Sequence, residues 1–165
     1  MKVTFYAPSG KYYFDVWYPD GKKVTLGYPT NTSAQITYPI TKSVDAFGGY
    51  IDFTYLLDNN VYYVTEIKYG SNSTQYGAVM FTYQTKSDGQ CSYIAGRLMK
   101  DSKLLSKIDT YYQSSMLLST YTLSYDTSIY SFLSKISLKS NGKEVNPLMF
   151  YYGGESDESR FQTST

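Results

Sequence analysis

Tyr50-Ile51-Asp52-Phe53-Thr54-Tyr55-Leu56-Leu57, then Asp58-Asn59-Asn60, then Val61-Tyr62-Tyr63-Val64-Thr65-Glu66-Ile67-Lys68-Tyr69 is the stretch that decides the fold. Successive side chains of a strand point to opposite faces of a sheet, and here Ile51, Phe53 and Tyr55 share one face while Asp52 and Thr54 take the other. The polar triplet between the two runs has turn chemistry, so the stretch reads as a β-hairpin. The same alternation continues in both directions. Upstream, Tyr12, Phe14, Val16 and Tyr18 alternate before Pro19-Asp20-Gly21 turns the chain into Lys22-Lys23-Val24-Thr25-Leu26. Downstream, Val79, Phe81 and Tyr83 alternate ahead of the polar turn Lys86-Ser87-Asp88-Gly89-Gln90. Leu117, Ser119, Tyr121, Leu123 and Tyr125 follow, then Phe132, Ser134, Ile136 and Leu138 up to Asn141-Gly142, a dipeptide suited to a type I′ turn because both its residues need positive φ. Arg97 to Tyr112 fits two periods: Leu104, Leu105, Ile108 and Tyr112 suit a short amphipathic helix, and Leu104, Ser106, Ile108, Thr110 and Tyr112 suit a strand. The β-favouring run Asp109-Thr110-Tyr111-Tyr112 and the flanking hairpins favour the strand.

Composition agrees. The chain has 165 residues, the size of one domain, with 21 Tyr, 21 Ser and 17 Thr against 5 Ala, which speaks against a helical bundle. The expected fold class is all-β, a meander of sequential antiparallel hairpins in a curved sheet. A net charge of +1 lacks the concentrated positive charge that phosphate neutralisation requires, which argues against a nucleic-acid partner. With no His, the chain lacks the commonest general base and metal ligand and any Ser-His or Cys-His nucleophile, so the expectation is no enzyme, no cofactor and no metal. The single Cys91 cannot form an internal disulfide, which leaves a hydrophobic core to hold the fold. No segment approaches the eighteen or so apolar residues of a membrane-spanning helix, and Met1 to Pro8 lacks the apolar run of an export signal. Residues 1–153 are expected to form one hairpin-repeat domain, and residues 154–165, with Glu155, Asp157 and Glu158 and little to bury, a mobile tail or truncated linker.

Three passages share a spelling. Phe53-Thr54-Tyr55 leads to Val64-Thr65-Glu66-Ile67, Phe81-Thr82-Tyr83 to Leu105-Ser106-Lys107-Ile108, and Leu123-Ser124-Tyr125-Asp126 to Leu133-Ser134-Lys135-Ile136. Tyr to Ile is twelve residues in the first, eleven in the third and twenty-five in the second, where the segment around Cys91 to Asp101 is inserted. Each unit, about 53–67, 81–108 and 123–136, reads as a hairpin whose Ile turns inward and whose charge turns outward. The structural landmarks are Tyr55, Ile67, Tyr83, Ile108, Tyr125, Asp126 and Ile136. A fourth start at 148–153, Leu148-Met149-Phe150-Tyr151-Tyr152-Gly153, has no returning strand, the pattern of a truncated array whose edge would self-associate.

Tyr125-Asp126 followed by Leu133-Ser134-Lys135-Ile136 resembles the signature of the RHS/YD-repeat family. The wider order is similar to the region preceding the repeats in large bacterial RHS proteins and insecticidal-toxin B components. It runs from Lys42-Ser43-Val44-Asp45-Ala46-Phe47-Gly48-Gly49 through Ala95-Gly96-Arg97 to Pro147-Leu148-Met149-Phe150, with Trp17-Tyr18-Pro19-Asp20-Gly21 like the family's opening hairpin. The resemblance implies a non-enzymatic piece of a very large secreted or cell-surface protein whose hairpins wind into a shell, with neighbouring segments of the parent as partners.

Asp45 with Asp52, or Asp88 with Asp101, could serve as the paired carboxylates of glycoside hydrolysis, although ten Asp in a chain this size pair often by chance. Asp88-Gly89 and Asp58-Asn59-Asn60 could offer oxygen to calcium but lack the spaced carboxylates of a calcium loop. Trp17 and Tyr18 could form a sugar- or protein-binding platform, the alternative function, since aromatic rings offer apolar faces with polar rims. Cys91, with Lys86 and Lys100 as its nearest cations in sequence, reads as an inert thiol. Asn31-Thr32-Ser33 and Asn72-Ser73-Thr74 match the glycosylation sequon but carry little weight in so Ser- and Thr-rich a chain.

Overall fold

Alternating β-branched and aromatic residues punctuated by Asn- and Gly-bearing turns produce thirteen strands in the computed structural model, which describes residues 1–7, 12–27, 37–127 and 130–152. They are β1 (Lys2–Tyr6), β2 (Tyr13–Trp17), β3 (Lys23–Leu26), β4 (Ile40–Val44), β5 (Gly49–Asp58), β6 (Val61–Ser71), β7 (Thr74–Thr85), β8 (Cys91–Ile94), β9 (Arg97–Lys100), β10 (Lys103–Tyr112), β11 (Met116–Asp126), β12 (Phe132–Ser140) and β13 (Lys143–Met149). The chain is all-β. Eleven strands form one antiparallel sheet in the order β1-β2-β3-β4-β5-β6-β7-β10-β11-β12-β13, and β8 pairs with β9 in a small sheet of its own. Residues 97–112 are thus strand, split between β9 and β10, and the insertion in the second unit is itself a hairpin. The expected tail at 154–165 and the sequon at Asn31 lie outside the described residues.

Tight turns set the meander. Asn59-Asn60, Asn72-Ser73, Ala95-Gly96 and Asn141-Gly142 each carry two consecutive positive φ values, from 48° to 78°, the backbone of two-residue type I′ hairpins. That geometry matches the right-handed twist of the flanking strands, so successive strands stay adjacent and antiparallel.

Register partners on neighbouring strands share a face, and following them across the sheet separates two surfaces. Phe81, Ile108, Tyr121, Leu138 and Val145 form one row, and Phe53, Ile67 and Val79 another on the same face. The opposite face carries Thr54, Glu66, Met80, Asp109, Thr120, Lys139 and Glu144 in a single row. Two buried carboxylates on that polar face are satisfied in the same way. Asp15 accepts the Thr25 hydroxyl at 2.7 Å and meets Lys23 Nζ at 2.8 Å; Asp109 accepts the Thr120 hydroxyl at 2.6 Å and meets Lys107 Nζ at 2.7 Å.

The expectation of a hydrophobic core is corrected here. Val16, Val24, Tyr63 and Ala78 are the buried apolar residues, and no large side chain is fully buried among the described residues. The eleven strands form one open sheet, and the few buried residues are those of a sheet that packs little against a second layer. The Ile landmarks Ile67, Ile108 and Ile136 are accordingly half-buried.

Two glycines test this geometry. A Cβ at Gly70, in β6, would collide with the Thr74 carbonyl, whereas at Gly142, with φ of 78°, it would meet open space. Gly142→Ala is expected to cost about 1–2 kcal/mol of backbone strain, and Gly70→Ala clearly more. Urea unfolding midpoints check the order, and the reverse ranking would refute the turn assignments.

Candidate functional site

The repeated passages superimpose as one physical device. In the β5–β6, β7–β10 and β11–β12 pairs, the landmark tyrosines Tyr55, Tyr83 and Tyr125 sit opposite Val64, Leu105 and Leu133, and two residues earlier Phe53, Phe81 and Leu123 sit opposite Ile67, Ile108 and Ile136. Three residues of the first strand thereby face four of the second. The unmatched residue is Thr65, Ser106 or Ser134, so the Ser/Thr of the repeat is a β-bulge. A bulge disturbs the ladder and leaves carbonyls in need of donors, which a short hydroxyl side chain can supply. Ser106 Oγ donates to the Thr82 carbonyl at 3.0 Å and Ser134 Oγ to the Ser124 carbonyl at 3.1 Å.

The tyrosines then join one unit to the next. Tyr83 donates its hydroxyl to the Val64 carbonyl at 2.8 Å and Tyr125 to the Leu105 carbonyl at 2.7 Å, in each case the residue just before the preceding unit's bulge. Burial pushes both phenols above the usual tyrosine range, with Tyr63 adding to the effect at Tyr83. Tyr55 bonds the Ile40 carbonyl at 2.7 Å, and Tyr152 the Leu133 carbonyl at 2.9 Å. Sequence reading missed a further unit, β3–β4, in which Leu26 takes the tyrosine position opposite Ile40 and Thr41 is the bulge, donating to the Thr25 carbonyl at 3.3 Å and the Gly27 carbonyl at 3.0 Å. Its signal was Ile40-Thr41-Lys42, an echo of Leu-Ser-Lys. Asp126 lies at the end of β11 in register with Phe132.

The β8–β9 hairpin is fastened across one end of the sheet. Its exit residues meet the β5–β6 turn: Lys100 N–H donates to the Asn59 carbonyl at 3.2 Å, and Asn60 Nδ2 donates to the Leu98 carbonyl at 2.8 Å. Tyr63 is the centre of this clamp, donating to Asp101 at 3.2 Å and accepting the Ser102 N–H at 2.9 Å, while Lys86 Nζ reaches Asp101 at 2.6 Å. Ser102 Oγ donates to Asp58 at 2.6 Å. On the other side Asp88 accepts the Ser131 hydroxyl at 2.5 Å and its N–H at 2.7 Å, which ties the insertion to the chain entering β12. A groove of about 430 Å³ remains beneath the hairpin, lined by Val61, Ile94 and Met99 with Lys86, Asp101 and Cys91.

The other candidate residues have structural partners. Asp45 accepts the N–H groups of Phe47 and Gly49, each at 2.8 Å, as a turn cap, and Asp52 pairs with Lys42 at 3.1 Å; Asp88 and Asp101 are taken up in the clamp. Cys91 is exposed, and no three carboxylate or thiol groups converge as a metal site among the described residues. Lys23 Nζ stands 4.9 Å from the Trp17 ring centroid and Lys22 Nζ 5.8 Å from that of Tyr18, so each ring already has a cation over it.

Two outcomes follow from this geometry. Tyr83→Phe and Tyr125→Phe should each lower stability by about 1 kcal/mol, while Tyr93→Phe, 73% exposed, should leave it unchanged; equal urea midpoints for all three would sink the lock. Asp58, held down by the Ser102 hydroxyl and Lys103, and Asp88, held down by Ser131, lie below the usual carboxylate range. At Asp109 burial opposes the charge, but Lys107 and Thr120 overcome it, and its pKa is also lowered. Groups depressed on folding add stability that is present above their unfolded value, near 4, and is lost as pH falls through their folded values. The melting temperature should therefore fall below about pH 4, and a profile flat to pH 2 would contradict this.

No family model matches the chain, and no curated protein matches it. Among solved structures it is similar to the N-terminal domain of effector protein SpvB from Salmonella typhimurium strain LT2, with a TM-score of 0.70 and 14% identity over 84% of this chain and 64% of that one. It is also similar to TcdB2-TccC3 without its hypervariable C-terminal region, with a TM-score of 0.71 and 16% identity over 91% of this chain and 11% of that one. The chain thus spans less than two thirds of either protein, and what it shares with both is the fold.

Proposed function

We propose that this chain is a non-enzymatic structural segment of a large secreted or cell-surface protein of the RHS/YD-repeat kind, contributing its hairpins to a shell or scaffold. Residues 1–153 serve as one hairpin-repeat domain. The observation that carries this reading is the uncovered apolar face. An antiparallel sheet normally packs one face on a core and offers the other to water, yet on this face Phe81, Ile108, Tyr121 and Leu138 are only half-buried and Ile51, Val145 and Leu148 are 40%, 52% and 58% exposed. Exposed apolar strips of this kind mark interaction surfaces. The outer edges of β1 and β13 are likewise unpaired by any described strand, and such edges are templates for further pairing. Both solved structures that share the fold hold it within a longer chain, which supports neighbouring segments of a parent protein as the natural covering.

The alternative, a free-standing carbohydrate- or protein-binding module using Trp17 and Tyr18, gains nothing from the geometry, because a lysine already stands over each ring. If the scaffold reading holds, the isolated chain binds a hydrophobic dye such as anilinonaphthalene sulfonate strongly and sediments with a weight-average mass that rises with concentration. A strictly monomeric chain that leaves the dye dark would overturn it.

A further inference from the structure

The bulged pairing occurs four times in the described sheet, at Thr41, Thr65, Ser106 and Ser134, and the chain then begins it once more. After β13, Phe150 N–H donates to the Ser134 carbonyl at 2.9 Å and Tyr152 makes the lock to Leu133, so the first half of a fifth unit is in place. Phe150 stands two residues before Tyr152, as Phe53, Phe81 and Leu123 stand before Tyr55, Tyr83 and Tyr125. The second half has no counterpart among the described residues. Tyr55, Tyr83 and Tyr125 are half-buried in their completed units, whereas Tyr152 is 57% exposed, and Val145 and Leu148 on β13 are 52% and 58% exposed. No described strand pairs with the outer edge of β13, and residues 153–165 contain no apolar residue followed by Ser/Thr, Lys/Glu and Ile.

Resting on the scaffold reading above, we infer that the outer edge of β13 and residues 150–152 form a β-augmentation site for an antiparallel strand of the pattern apolar-Ser/Thr-Lys/Glu-Ile. The incoming apolar residue sits opposite Tyr152, the Lys or Glu opposite Tyr151 and the Ile opposite Phe150, and the Ser or Thr is the unmatched bulge. The pairings inside the sheet dictate this assignment: Tyr83 faces Leu105, Thr82 faces Lys107 and Phe81 faces Ile108, with Ser106 left over, and the β11–β12 pair repeats it. Main-chain hydrogen bonds give such a site its affinity, and the bulge gives it specificity, because a strand lacking the extra residue turns its Lys and Ile to the wrong faces beyond Tyr152. Pro147, with no N–H to donate, sits on β13, an edge position where proline is tolerated.

The test uses the full chain and two acetylated, amidated, dye-labelled peptides: one of sequence Phe132–Ser140, and the same peptide lacking Ser134. Anisotropy titration should show saturable binding of the first at least tenfold tighter than of the second, and hydrogen exchange with the first bound should slow at residues 143–152 and not at Lys2–Tyr6. Equal affinity for the two peptides would overturn the bulge rule while leaving the edge a pairing site, as the scaffold reading requires. Absence of binding, protection at β1 instead, or protection of 143–152 that grows with protein concentration without peptide, which would mean that a second copy takes the edge, would each overturn the inference. The dye and sedimentation behaviour of the chain alone judges the scaffold reading separately.

Discussion

In an open sheet of this kind, the main-chain ladder between consecutive strands carries the work that a packed interior performs in most domains, because few side chains leave water completely. The weak points of that ladder are the places where an extra residue interrupts it. Four of these interruptions, at Thr41, Thr65, Ser106 and Ser134, fall at the same point of a repeated unit, while others lie in the β6–β7, β10–β11 and β12–β13 pairs. At the four, the hydroxyls of Thr41, Ser106 and Ser134 and the phenols of Tyr55, Tyr83, Tyr125 and Tyr152 donate to carbonyls beside the extra residue. The remaining features of the sheet depend on these junctions holding their register. A slip of one residue between β7 and β10 would exchange the row through Phe81 and Ile108 with the row through Thr82 and Lys107, and one between β10 and β11 would part Asp109 from Thr120.

The clamp under the β8–β9 hairpin applies the same logic to an insertion. A lone two-stranded hairpin is marginal in water. This one is held by Tyr63, Asp101, Ser102 and Lys86 against the neighbouring turns, and by Asp88 against Ser131. Here polar contacts substitute for apolar burial, which places carboxylates with lowered pKa at Asp58 and Asp88 on one end of the sheet.

Much of the architecture was legible in the sequence because its determinants are local. Alternation with period two marks Ile51, Phe53 and Tyr55, and turn chemistry marks Asn59-Asn60 and Asn141-Gly142. Other features were opaque for physical reasons. A bulge looks in sequence like one more residue of an alternating run, so Ser106 and Ser134 read as members of the rows through Ile108 and Ile136 when they are insertions. Asn72-Ser73 forms a type I′ turn without glycine, and the β3–β4 unit carries Leu26 in place of tyrosine. Tyr63 gave no local sign that it would be a buried hub, since its partners Asp101 and Ser102 lie thirty-eight and thirty-nine residues away. The scarcity of buried residues could not be read from composition, because apolar content reports what a face offers and says nothing of what covers it.

Strand order in the large sheet follows chain order from β1 to β13, with only the small hairpin set aside. No strand therefore waits for a partner synthesised much later; each emerging segment meets its template already in place, and ordering can propagate from the N-terminus as the ribosome proceeds. Stability in such an array is close to a sum over nearest neighbours, as in linear repeat proteins, and loop-closure entropy stays small at every step. The longest delay falls between Thr85 and Lys103, where β8 and β9 intervene, and that seam carries ionic clasps of its own, Lys86 to Asp101 and Lys103 to Asp58.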